Sequence, residues 1–180
     1  DGKLVADHQN LPPEQLDPVN NPLHRMYATE RDLAQLGDFD PASPQVMEHL
    51  VSAYTQWIDQ GAGAFRLDTV GHMPPAFWRE FTGRIRAHRP GFFMFAEVFD
   101  SDPVVLASYM DEAGGGLSVL DFPLKDGLRQ VFGREGRGYE TLAAALFLED
   151  SPYRNPYDLI TFYDNHDIAR IDASDAGFIN

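Results

Sequence analysis

From residue 44 onward the apolar positions keep a helical period. Val46, Leu50, Ala53, Tyr54, Trp57 and Ile58 fall at three- and four-residue steps until Gly61 closes the pattern. Ser43 followed by Pro44 supplies an N-cap and a first-turn residue. Short apolar runs then alternate with helical patterns. A run at 64–68 precedes a helix at 75–88 with Phe77, Phe81, Arg84 and Ile85 on one stripe, and a run at 92–97 precedes a short helix around 103–112. A third run at 117–121 leads into helical stretches near 124–132 and 139–149, and a fourth occupies 159–163. Strands alternating with helices predict right-handed crossovers and a parallel sheet, an α/β fold. The second run is apolar at successive positions, which predicts a strand covered on both faces. Residues 1–43 carry little periodicity. Pro12-Pro13, Asp17-Pro18, Asn20-Asn21-Pro22 and Asp40-Pro41 break them into turns and irregular loop. Gly114-Gly115-Gly116 reads as a simple loop.

At 180 residues with 43% hydrophobic positions, the chain can bury one sizeable core. Fourteen basic residues against 28 acidic ones give a formal charge of −14. Nucleic acid and anionic membrane both require a basic face, so neither is an expected partner, whereas an acidic surface tolerates neutral, hydroxylated ligands. No stretch approaches the length of an apolar membrane-spanning helix. With no cysteine, a disulfide framework, a thiolate nucleophile and a zinc–sulfur site are excluded, while the compartment stays open. The chain starts at Asp1-Gly2-Lys3 and stops at Phe178-Ile179-Asn180, which reads as an internal piece of a longer protein.

Candidate chemistry gathers where the strand runs end. Asp68, Glu97, Asp121 and the cluster Asp164-Asn165-His166-Asp167 each close a run or follow it directly. The carboxyl ends of parallel strands share the crevice in which α/β proteins keep their sites. A single such aspartate is also an ordinary helix cap; several in succession are harder to attribute to capping. Arg66 and Asp68, two apart on a strand, face the same side. The guanidinium there would hold the carboxylate ionised, unless the two form only a structural ion pair. Glu97 follows Phe93, Met94, Phe95 and Ala96, an apolar setting that favours the protonated acid, or it is an edge glutamate open to solvent. An ionised aspartate beside a protonated glutamate is the two-carboxylate arrangement of a glycosidase.

Three ordered blocks carry a family resemblance. Phe65-Arg66-Leu67-Asp68-Thr69-Val70-Gly71-His72, Phe95-Ala96-Glu97-Val98 and Phe162-Tyr163-Asp164-Asn165-His166-Asp167 resemble signature blocks of the α-amylase family, and Leu36-Gly37-Asp38-Phe39-Asp40 is similar to a fourth. The resemblance covers nearly the whole chain. It implies a (β/α)8 TIM barrel of which this chain supplies about the fourth to seventh strands. Residues 1–43 would then be the end of an inserted loop domain and its return, and residues 44–180 part of the catalytic barrel.

The implied activity is retaining hydrolysis or transglycosylation of α-1,4-glucans such as starch and maltooligosaccharides. By the same resemblance Asp68 is the nucleophile, Glu97 the acid/base and Asp167 the third carboxylate that binds sugar hydroxyls and favours the distorted ring. Arg66 orients the nucleophile, His166 bonds the sugar at the cleavage point, and His72 lines the cleft. Calcium is the implied cofactor, with Asp38 as a side-chain ligand and His72 lending its backbone carbonyl. Retention implies Asp68 and Glu97 about 5–5.5 Å apart. Where many relatives carry lysine before the histidine, this chain has Gly71, which bears on product pattern and transfer. The family's first block is absent. The resemblance also implies a secreted or periplasmic enzyme, with the cytoplasm the alternative for a member acting on small substrates. The rival reading is a barrel that has lost catalysis and serves as a carbohydrate-binding or transporter-associated subunit; such proteins usually lack the carboxylates that are all present here. A Gly-x-Ser-x-Gly elbow and a phosphate loop are both missing, which removes support for an unrelated α/β hydrolase or phosphatase.

The remaining residues take ordinary readings. Asp7, His8 and His24 are expected to be solvated or cleft-lining loop positions, and His49 and His88 to lie on helix surfaces. Trp57, Phe77 and Trp78 are expected to pack helix against sheet. Phe99 and Tyr163, close to strand ends, are candidates for stacking on a sugar ring, and Asp121 is left structural.

Overall fold

Three short parallel strands, β1 (Ala64–Leu67), β2 (Phe93–Ala96) and β3 (Ser118–Val119), form a sheet in sequential order. Ala64 pairs with Phe93 and Arg66 with Phe95, while Phe95 pairs in turn with Ser118. The expected fourth strand is reduced to one parallel bridge, Leu120 to Ile160, held by Ile160 N–H to the Val119 carbonyl at 2.8 Å and Asp121 N–H to the Ile160 carbonyl at 3.0 Å. It extends no further because the chain turns into a helix immediately after Asp121. The computed structural model describes residues 12–28, 37–133, 136–146 and 150–170. The expectations for Asp7 and His8, for Leu36 and for the last part of the 139–149 helix lie outside the described residues.

The chain divides into two compact units, residues 1–62 and 63–180. In the first, 3-10 turns at Pro13–Gln15 and Pro22–Met26 lead to an antiparallel bridge between Tyr27 and Phe39, whose rings lie 5.8 Å apart. Helix α1 (Pro44–Asp59) buries Val46, Met47 and Ile58. Trp57 is 61% exposed, against the expectation of packing. The buried arc runs through Met47 and Ile58 and leaves Trp57 at its margin. His24 departs from the solvated one of its two expected readings: it is buried, with Nδ1 accepting the Asp17 N–H at 2.8 Å and Nε2 3.1 Å from the Asn21 amide.

In the second unit the strands alternate with α2 (Pro75–His88), α3 (Pro103–Met110), α4 (Phe122–Phe132) and α5 (Tyr139–Ala145). Proline in the first turn starts α2, α3 and α4, and the Asp102 and Asp121 side chains cap α3 and α4 by accepting the N–H groups of Val104 (2.8 Å) and Leu124 (3.0 Å). Asp121 is thus a buried cap, as its structural reading anticipates. α2 buries Phe77, Trp78, Phe81, Thr82 and Ile85. Arg84, placed on that stripe by periodicity, instead points outward and pairs with Glu80 at 2.6 Å; a guanidinium takes the solvent side of its turn wherever a carboxylate four residues away can meet it. His49 and His88 are exposed.

Strand order and burial together give the architecture. Right-handed crossovers between sequential parallel strands put all the helices on one face. Leu67, Met94, Ala96 and Val119 are accordingly buried, while Arg66 and Phe93 on the other face are exposed. The expected burial of β2 on both faces is therefore not seen: Phe93 is 47% exposed, its ring 6.1 Å from that of Phe95. A face left without helices, in a sheet with no reversal of strand order, is the inner face of a barrel wall.

Candidate active site

Asp68 and Glu97 are the residues that directly follow β1 and β2, so strand pairing alone brings them side by side. The junction is held by two backbone bonds, Glu97 N–H to the Leu67 carbonyl at 2.8 Å and Val70 N–H to the Glu97 carbonyl at 3.2 Å. Trp78 Nε1 donates to the Val70 carbonyl at 2.8 Å and anchors the turn to α2. Thr69, between them, sits at φ +50°. That left-handed conformation is costly for a β-branched residue and persists only where surrounding bonds over-determine it. The Thr69 N–H donates to Asp68 Oδ1 at 3.0 Å.

The Arg66 guanidinium lies between the two carboxyl groups, Nη2 being 2.8 Å from Glu97 Oε2 and 3.5 Å from Asp68 Oδ1. Arginine was expected to serve the aspartate; its shorter bond goes to the glutamate. Glu97 is 4% exposed, and its second oxygen, Oε1, accepts the Asn165 Nδ2–H at 2.9 Å. Burial, and then a hydrogen bond to Asp68, push the Glu97 carboxyl above its ordinary range, with Arg66 opposing. Asp68 moves the other way. The bond from Glu97 holds it below the ordinary range against partial burial, with Arg66, the Thr69 N–H and the charge of His166 adding to the effect. The two shifts are opposed, favouring the protonated form at Glu97 and the ionised form at Asp68.

Asn165 also accepts the Asp167 N–H at 3.0 Å through Oδ1, so one side chain ties Glu97 to the turn that carries Asp167. Asp167 Oδ2 is 3.0 Å from His166 Nε2, and both residues are substantially exposed. The sequence quotes Asn165 only as part of a block. Its contact with Glu97 bridges distant parts of the chain and leaves no local pattern to read. Phe99 is 65% exposed and stands edge-on to Phe122 at 4.9 Å, which in turn meets Phe162 at 4.9 Å. Phe99, two residues past Glu97, is thus an exposed ring backed by two aromatic neighbours.

His72 ends the 3-10 turn Val70–His72 and is exposed in the second unit. Asp38 belongs to the first unit, where its carbonyl accepts the Ala28 N–H at 2.9 Å. Among the described residues there is no group of three or more His, Asp or Glu side chains able to hold a metal ion. Calcium takes six to eight oxygens, so these residues do not by themselves make a calcium site. Among the described residues no helix is long and apolar enough to cross a membrane.

Residues 21–177 match the model of the α-amylase catalytic domain. The chain is 35% identical over 166 residues to an α-amylase of Streptomyces lividans, covering 83% of this chain and 18% of that protein. It is 32% identical over 151 residues to a cyclomaltodextrin glucanotransferase of Klebsiella oxytoca, covering 78% of this chain and 23% of that one. Among solved structures, an Anoxybacillus α-amylase superposes with a TM-score of 0.77 at 27% identity, over 86% of this chain and 37% of its own. A cyclomaltodextrin glucanotransferase with a three-domain ABC distribution gives 0.74 at 30% identity, over 93% and 34%. The chain thus spans about a fifth of the length of these curated relatives and about a third of the solved chains.

Proposed function

The chain belongs to the α-amylase catalytic-domain family, and from that premise we propose that the whole protein is a retaining glycosidase or transglycosylase acting on α-1,4-glucans such as starch and maltooligosaccharides. The observation that carries this reading is one carboxyl pair set side by side at the ends of β1 and β2, Glu97 buried and bonded by Arg66 and Asn165 and Asp68 more open, with burial raising the first carboxyl and its bonds lowering the second. In the first step Glu97 gives its proton to the glycosidic oxygen while the Asp68 carboxylate attacks the anomeric carbon. The C–O bond to the leaving sugar breaks and a glycosyl ester forms on Asp68. In the second, the Glu97 carboxylate takes a proton from water or from a sugar hydroxyl. That oxygen attacks the anomeric carbon, Asp68 departs, and configuration is retained. Arg66 orients both carboxyl groups, Asp167 and His166 hold sugar hydroxyls, and the exposed Phe99 ring offers a stacking surface for a sugar.

Hydrolysis and transfer differ only in the acceptor, in keeping with relatives named as amylases and as glucanotransferases. Calcium enters the proposal as a structural ion, with Asp38 and the His72 carbonyl as the donors the family resemblance implies; no step above involves it. Release of reducing sugar from soluble starch by the whole protein, beside its Glu97→Gln variant, tests the reading. Activity in the first, reduced about 10²–10⁴-fold in the second, is the expected result. Equal activity in both overturns the acid/base assignment, and no activity on starch or on an activated aryl α-glucoside overturns the glucan reading.

A further inference from the structure

On the helix-covered side of the second unit lies a groove of about 440 Å³ lined by Arg79, Thr82, Gly83, Arg86, Glu112, Gly115, Gly116 and Arg154. Three guanidinium groups and one carboxylate line it, in a chain whose formal charge is −14. Gly115 and Gly116 lead into β3, and Arg154 precedes Ile160, so the groove borders the end of the sheet where strands begin. Asp68 and Glu97 lie at the opposite end.

The groove is built rather than incidental. Arg86 Nη1 and Nη2 donate to the carbonyls of Gly115 (2.7 Å) and Gly116 (2.8 Å), and Thr82 Oγ1 donates to Gly115 at 2.9 Å. Those carbonyl oxygens, which would repel an anion, are thereby already engaged. Gly115, at φ +102°, lets the backbone close on α2: a Cβ there would meet the Trp78 carbonyl group at 3.0 Å. Among the described residues Arg79 and Arg154 have no ion-pair partner, and Glu112 forms no salt bridge across the groove. Burial and then the charge of Arg154 hold the Arg86 guanidinium below its usual range. With Arg86 committed to the two carbonyls and Glu112 the one carboxylate against three guanidinium groups, the groove keeps a net positive lining, and Arg79 and Arg154 keep N–H edges for a ligand.

We propose that this groove is a binding site for a doubly charged oxyanion, inorganic phosphate or a phosphate monoester, held by Arg79 and Arg154, with the fixed guanidinium of Arg86 adding its charge. Arginine forks match phosphate oxygens two at a time, which sets them apart from a diffuse basic surface.

Isothermal titration of the whole protein with inorganic phosphate, and separately with phenyl phosphate, tests the site at constant ionic strength. Saturable one-to-one binding is expected, with Kd about tenfold weaker in Arg154→Gln and in Arg79→Gln. Binding should be unchanged in Arg84→Gln, a control on the same helix whose side chain is paired with Glu80. Tighter binding of phosphate than of phenyl phosphate identifies the free ion as the ligand; the reverse identifies a monoester. No saturable binding, heat reproduced by sodium chloride alone, or equal affinity in the wild type and both groove variants overturns the proposal. The readout does not depend on glucan chemistry. Absence of starch activity in every protein bears on the proposed function and leaves the binding comparison intact.

Discussion

Arg66 stands between two carboxyl groups and lowers the pKa of both, so its removal has a sign that can be stated in advance. In the proposed first step Asp68 must be ionised and Glu97 protonated. The acid limb of the kcat/KM profile therefore belongs to Asp68 and the alkaline limb to Glu97. Arg66→Gln should move both limbs to higher pH together as well as lowering the plateau; a profile of lower height and unchanged limbs would assign Arg66 to substrate alone. Glu97 also links catalysis to stability. Its folded-state pKa is raised, so its contribution is fully present below the ordinary glutamate value and is lost as pH rises through the raised one. Glu97→Gln should consequently gain Tm relative to wild type at pH 8 and lose that gain near pH 4, as melting curves at the two pH values would read. The pairing of Asp68 with an acid was legible from residue types at strand ends. That Arg66 bonds more closely to Glu97, and that Asn165 bonds Glu97 at all, was not, because both contacts depend on strand register and a distant turn.

At the scale of elements, each strand is short and gives way at once to a turn or a cap. β3 stops because Asp121 turns the chain into α4, and its buried carboxyl accepts the Leu124 N–H while burial raises its pKa. Asp121→Ala should cost about 1–2 kcal/mol in chemical denaturation. Asp121→Asn keeps an acceptor for the cap and removes a buried charge, and should match or exceed wild type at neutral pH. Helices were legible because their signals are local: proline in the first turn of α2, α3 and α4, an aspartate before the last two, and apolar positions recurring behind it. The fourth strand was legible only as a run of apolar residues. Whether such a run extends into a strand depends on how far its neighbour continues, and here Asp121 cuts the neighbour short.

At the scale of the whole molecule, the sheet is a wall that needs the rest of a barrel. Its inner face leaves Arg66, Phe93 and half-buried Phe95 uncovered by helices, and among the described residues the outer edge of β1 has no partner strand. Open strand edges recruit other chains. Residues 1–180 expressed alone should therefore elute as aggregates on size-exclusion chromatography and show no starch hydrolysis, whereas the whole protein should elute as a discrete species. A discrete, active 180-residue protein would show that the wall closes by some other means.

Residue types and their order along the chain determined, by themselves, the α/β alternation, the helix boundaries and the family, because caps, periodicity and the signature blocks are local properties. They also determined that acidic residues cluster at strand ends. Tertiary structure alone decided which face of the sheet is left open, which carboxyl Arg66 and Asn165 hold, and which arginines converge on a groove. Those outcomes depend on strand register, burial and distances between residues far apart in sequence, quantities that no window along the chain contains.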